Sequence, residues 1–200
     1  MRRRLLAIGI GVLSALAVAG PAFADTTPGP GNFRDSGSTD YVYASASVCS
    51  QSTCTDTSVN AQVTDLQSGD SFVVVCFDQF TYPTRQGGQA SDLSGCTEVA
   101  PTIAKDLSSA SLDATILAQQ CGRRTCSGEF SVSVSLDLTA IGSPNAYSYT
   151  QKNQYQNCTD TYRVRGQAAD AEGTIVVDGT ALDAFGQIGS ETFTFSERCR

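Results

Sequence analysis

The chain has no histidine and no tryptophan, and a single methionine, among its 200 residues. Its only lysines are Lys105 and Lys152. Without histidine there is no Ser-His or Cys-His nucleophile pair, no imidazole acid-base and no histidine metal cluster. Serine-lysine chemistry would have to use one of the two lysines, and no S-x-x-K precedes either. A G-x-S-x-G elbow and a phosphate-cradling glycine loop are both missing. No cofactor is therefore expected. Beyond the first two dozen residues, no apolar run is long enough to cross a bilayer as a helix.

What is present begins with an export signal. "MRRR" is a basic start, "LLAIGIGVLSALAVAG" an apolar stretch, and Ala22-Phe23-Ala24 a small-x-small cleavage site. The pattern predicts a signal peptide over residues 1–24, cut after Ala24, and the general secretory route rather than the twin-arginine one. Removal would take Arg2, Arg3 and Arg4 from the 13 basic residues and none of the 20 acids, leaving a net charge of −10. An acidic total disfavours nucleic acid and anionic lipid, whose affinity comes from Lys and Arg. The expected product is secreted, extracellular, and free of the membrane once the signal is removed.

All eight cysteines follow the leader: Cys49, Cys54, Cys76, Cys96, Cys121, Cys126, Cys158 and Cys199. An even count in an exported chain reads as disulfides. A metal is not expected, because the paired cysteines lack the two-residue spacing of common zinc clasps. The cysteines also suggest a repeat. "CSQSTC" at Cys49 and "CGRRTC" at Cys121 share their spacing and a Thr-Cys ending, and C-x-D-x-[FY] recurs at Cys76 and Cys158. Each half then closes with one more cysteine. The apolar phase after the knuckle slips by one residue between halves, which a bulge near Ser127-Gly128 would absorb.

The dominant periodicity is two. Val42, Ala44, Ala46 and Val48 fall on one side, as do Val59, Ala61 and Val63, and Val132, Val134, Leu136 and Leu138. "SFVVVCF" reads as a central strand. Helix signals are weak, with one turn or a short helix expected near Ile103 to Leu107. Nine or ten strands burying one face each predict an all-β fold, a disulfide-stapled antiparallel β-sandwich or distorted barrel built from two repeat-like halves. The expected layout is a flexible leader over 25–40 and one domain over 41–200, with halves 41–100 and 108–200. Four residues between strands make a hairpin loop, so the flanking cysteines should face each other and bond as Cys49–Cys54 and Cys121–Cys126. Cys76–Cys96 and Cys158–Cys199 would follow, with crossed pairing between halves as the alternative.

Three functions fit. The first is a secreted, non-catalytic binding or structural protein whose ligand is a cell-wall glycan or a protein. Its best surface is "NAYSYTQKNQYQNC", which aligns Tyr147, Tyr149 and Tyr155 on one face of a strand. The second is a serine-protease inhibitor presenting Arg123 or Arg124, although a ring of six residues leaves little room for an extended bait loop. The third is a carboxylate-dependent hydrolase using Asp170 with Glu172, or Asp178 with Asp183. The same four acids could hold calcium, but their spacing matches no dedicated loop.

Overall fold

A computed structural model describes residues 33–84, 90–122, 126–155 and 157–199. They form ten strands: β1 Phe33–Cys49, β2 Thr53–Leu66, β3 Ser71–Pro83, β4 Ser91–Thr97, β5 Thr102–Ile103, β6 Ser109–Cys121, β7 Cys126–Ala140, β8 Asn145–Tyr155, β9 Cys158–Val177 and β10 Thr180–Cys199. All belong to one antiparallel sheet in the order β10-β1-β2-β3-β4-β6-β7-β9-β8. A further ladder between β9 and β10 returns the sheet to its start. The fold is thus a distorted barrel of eight strands. β5 and β8 lie off the ring, each on a single neighbour, β6 and β9 respectively.

The alternation seen in the sequence fills the ring. Val42, Ala44, Val59, Ala61, Val75, Phe77, Ile116, Val132, Val134, Leu138, Ile175 and Ile188 are all buried and face inward. Their neighbours in sequence, such as Ser131 and Ser133, face water. Burying one face of each strand supplies the driving force, and closing the sheet removes the unpaired edges that would attract other strands.

The long strands do not keep one phase. On β1 the buried positions are Val42, Ala44 and Ala46, but nearer the N-terminus the buried position is Thr39. β2 changes between Ala61 and Thr64, β9 between Val164 and Ala169, and β10 at Ile188-Gly189. These changes coincide in space. Val42 pairs with Ala61 and Ile188, and Ile188 with Ala169; one rung further, Tyr41 pairs with Gln62 and Gly189. The ladders run through without a slip. Below this rung the ring is closed and its inner face is dry. Above it β3 stays paired with β2 only as far as Ser71 opposite Asp65, and beyond that the wall is the open run β2-β1-β10-β9-β8, whose inner face is polar.

β8 arises from the same opening. β7 pairs with β9 over residues 171–177, and β8 pairs with the same edge of β9 over 158–168. The two strands run in one direction along β9, interrupted at Ile141 to Pro144. The Ile141 backbone N–H still donates to the Asp170 carbonyl at 2.7 Å. β7 joins the closed part and its continuation, β8, walls the open part.

Four disulfides fix the ladders: Cys49–Cys54, Cys76–Cys96, Cys121–Cys126 and Cys158–Cys199. Each joins residues directly opposite on neighbouring strands, and none crosses between the halves. The bulge falls at Gly128. Glu129 pairs with Gln119 and Ser127 with Gln120, leaving Gly128 unpaired at φ 66°. A side chain rarely adopts that backbone, so glycine suits the extra residue.

Of the single turn or short helix expected near Ile103 to Leu107, the turn forms. Thr102–Ile103 is strand, and a turn follows in which Leu107 takes φ 59° while its side chain is buried. The Asp106 carboxylate accepts from the Ser108 backbone N–H at 3.1 Å and hydroxyl at 2.6 Å, and this local bonding competes with helix. The segment expected to be a flexible leader over 25–40 is strand from Phe33 onward, where β1 begins. Those first residues lie in the open wall, wet on one face, so they carry no apolar alternation to announce a strand.

Candidate functional site: the polar inner wall

Residues directly opposite in a ladder share a face. The registers therefore define rows on the open wall's inner side. One row runs Asp65, Ser38, Thr192, Arg165 and Ser148. The next runs Ser36, Thr194, Arg163 and Thr150, with Gln67 beside Ser36. The Ser36 hydroxyl donates to Gln67 Oε1 at 2.5 Å. Between these rows lies a cleft of about 920 Å³. The alternate row, Leu66, Gly37, Phe193, Val164 and Tyr149, forms its floor. Gly37 is required there, because a Cβ would meet the Asp65 carbonyl and the Phe193 ring. A second cleft of about 710 Å³ continues toward the strand ends, shares Arg163 and Thr194, and adds Arg34, Lys152 and Arg198. All these cations are exposed.

The opposite side of the same wall is aromatic and acidic. The Tyr147 hydroxyl donates to Glu191 Oε2 at 2.8 Å and lies 3.3 Å from the Tyr41 hydroxyl. Both rings need glycine neighbours. A Cβ on Gly189 would run into the Tyr41 ring, and one on Gly166 would approach Tyr147 at 2.8 Å. Burial, then the hydrogen bonds to Tyr41 and Glu191, push the Tyr147 phenol above its ordinary range. Burial, then the Glu191 charge, does the same for Tyr162. Tyr41 is raised mainly by burial, with its bond to Tyr147 acting in the other direction. Tyr162 links Tyr149 and Phe193, at ring separations of 6.2 and 5.8 Å. Beneath them the Thr39 and Thr64 hydroxyls meet at 2.9 Å and satisfy each other in a buried setting.

No family model and no curated protein matches the chain. A crystal structure from Nitrosomonas europaea carrying the provisional name AttH aligns with 78% of this chain at 8% identity and a TM-score of 0.24, too low to carry an argument. The chain spans about half of that structure's length, 51%.

The tyrosines singled out in the sequence divide. Tyr147 is half-buried and its hydroxyl is engaged within the protein. Tyr149 is 48% exposed and borders the cleft. Tyr155 ends β8 opposite Cys158, and its side chain lies outside the described residues. Arg123 and Arg124 also lie outside them, so the inhibitor tip has no structural description beyond the disulfide that closes it. Of the proposed acids, Asp178 is used in a two-residue turn with Gly179, both at positive φ, and its carboxylate accepts from the Ser133 N–H at 2.8 Å. Asp170 accepts from Gln187 at 3.1 Å. Glu172 pairs with Phe185 and Asp183 with Thr174 in the β9–β10 ladder.

Two carboxyl groups that the sequence did not pair do meet. Asp78 on β3 lies near Asp92 on β4, and removal of water followed by the Asp92 charge raises the Asp78 pKa. Asp92 Oδ1 is buried without a partner. Cys158, Cys199 and Glu197 form the one ligand-type grouping found among the described residues, but its sulfurs are already oxidised to a disulfide. Of the inner-wall cations only Lys152 was named from the sequence, and for serine-lysine chemistry rather than as part of a surface. The signal available was Arg163-x-Arg165, whose period of two places both on one face.

Proposed function

We propose that this protein is an exported, non-catalytic binding protein and that its ligand, an extracellular glycan or protein, lies in the inner-wall cleft. The observation that carries this reading is the cleft itself. It has the volume of a ligand site, and its rows are nearly all hydroxyl, amide and guanidinium groups that no core packing requires. Four disulfides support an oxidising compartment, and the leader sequence supports export. Rigid walls favour binding, since little order remains to be imposed when a ligand arrives.

The test begins with the culture supernatant, where amino-terminal sequencing should find Ala24 removed and Asp25 first. Pull-down on cell-wall and culture fractions then supplies a ligand. Thr192→Trp places a bulky ring in the cleft without touching the core. It should abolish capture while leaving the disulfide map and melting temperature unchanged. Undiminished capture by this variant would move the site elsewhere and defeat the proposal.

A further inference from the structure

We infer that the inner wall is a binding face for an anionic polysaccharide, a sugar chain bearing sulfate, carboxylate or phosphate groups. The inference rests on the binding role proposed above and names the chemistry of its ligand. Six Lys and Arg residues lie among the described residues, and five of them, Arg34, Lys152, Arg163, Arg165 and Arg198, share this one face. The sixth, Lys105, sits in the turn after β5. None of the five has an ion-pair partner among the described residues. Aspartates on their side are confined to the β1–β2 margin, at Asp40 and Asp65. Glu191, Glu197, Asp35 and Asp160 alternate onto the opposite side. Among the described residues, the positive charge is thus gathered almost wholly onto one surface, with no ion pair there.

Same-face neighbours on a strand lie roughly 7 Å apart, inside the screening length of about 8 Å at physiological salt, so Arg163 and Arg165 repel each other until an anion arrives. From the Arg165 rung to the Arg198 rung β10 advances from Thr192 to Arg198, about 20 Å. A face of that length suits a chain of charges rather than one small anion. Between the cations stand serine and threonine hydroxyls, which can bond both anionic oxygens and sugar hydroxyls. Every ring near the wall, Tyr147, Tyr149, Tyr162 and Phe193, alternates to the opposite side. Single-stranded nucleic acid binds by stacking its bases on aromatic platforms; here only Tyr149 and Phe193 reach the cleft, at its floor, and no ring stands in the cation-bearing rows.

The experiment measures binding of the full disulfide-bonded protein to heparin, polygalacturonate, neutral dextran and an oligothymidylate. Heparin, polygalacturonate or both should bind, more weakly as salt rises from about 50 to about 200 mM. Arg163→Glu with Arg165→Glu should weaken that binding by about tenfold or more and flatten its salt dependence, with the melting temperature retained. Lys105→Glu should change neither. Equal, salt-insensitive binding of dextran would overturn the anionic inference and leave the binding role standing. Preference for the oligonucleotide would overturn it in favour of nucleic acid. Self-association at low salt that the double variant abolishes, with no glycan bound, would assign the face to a second copy. Failure of all four probes overturns the inference. The binding role falls with it only if the fraction pull-down also captures nothing.

Discussion

Two kinds of disulfide share this sheet, and loop closure ranks them. Cys49–Cys54 and Cys121–Cys126 each span a separation of 5, while Cys158–Cys199 spans 41. The chain-entropy relation gives about 2 kcal/mol for each short ring and about 4 kcal/mol for the long one. Replacing both cysteines of a pair by alanine should therefore lower the melting temperature by roughly 4 to 8 °C for either knuckle and roughly 8 to 16 °C for Cys158–Cys199 in a domain of this size. Guanidinium titration of the three double variants, with reversibility checked, gives the free energies directly. The two knuckles act as mutual controls, since equal separation demands equal loss. A knuckle that costs as much as the long bridge would refute the reasoning, because its value would then lie in native contacts rather than in the unfolded chain. So would a long bridge whose loss is hardly felt.

Tyr147→Phe removes the donor to Glu191 and the contact with Tyr41, at an expected loss of about 1 to 2 kcal/mol in chemical denaturation at neutral pH. Because the Tyr41, Tyr147 and Tyr162 phenols are raised above the free value, their contribution is complete below about pH 10 and fades above it, and Tyr147→Phe should flatten that alkaline decline. Asp78 is also raised, so its contribution is present below the unfolded carboxylate value and lost as pH rises; Asp92→Asn should therefore melt higher than the parent at pH 7, with the gap closing below about pH 4. Gly186→Ala drives a Cβ into the Tyr43 carbonyl and should cost more than about 2 kcal/mol in the same denaturation assay.

The closed ring was legible because dryness on one face writes a period of two. Val132 to Leu138 and Val42 to Ala46 could be read directly, and the slip after Cys126 located the bulge. The cysteine spacing indicated the pairing for a related reason, since a four-residue loop leaves its flanks opposite each other. The open wall was not legible. Its strands face water on one side and a thin aromatic-acid layer on the other, so Phe33 to Asp40 show no apolar rhythm. The inner-wall cations stand at 34, 152, 163, 165 and 198, on four strands, and meet only through register. Net charge is a sum that discards position, so it could not show these cations gathered on one face. Alternation reports only which residues share a face, so it could not show that Tyr147 is half-buried with its hydroxyl bonded to Glu191.

Because four strands pass the same rung without a bulge, every residue of the open wall is addressed by counting from the barrel below. Exchanging one amino acid for another up there alters a single contact. Deleting one residue just beyond Tyr41 or Gly189 would rotate the whole remaining strand by half a turn, sending aromatics into the cleft and guanidiniums among the acids. Evolution can thus retune this surface freely by replacement, while changes of length are barred along those strands and confined to their ends.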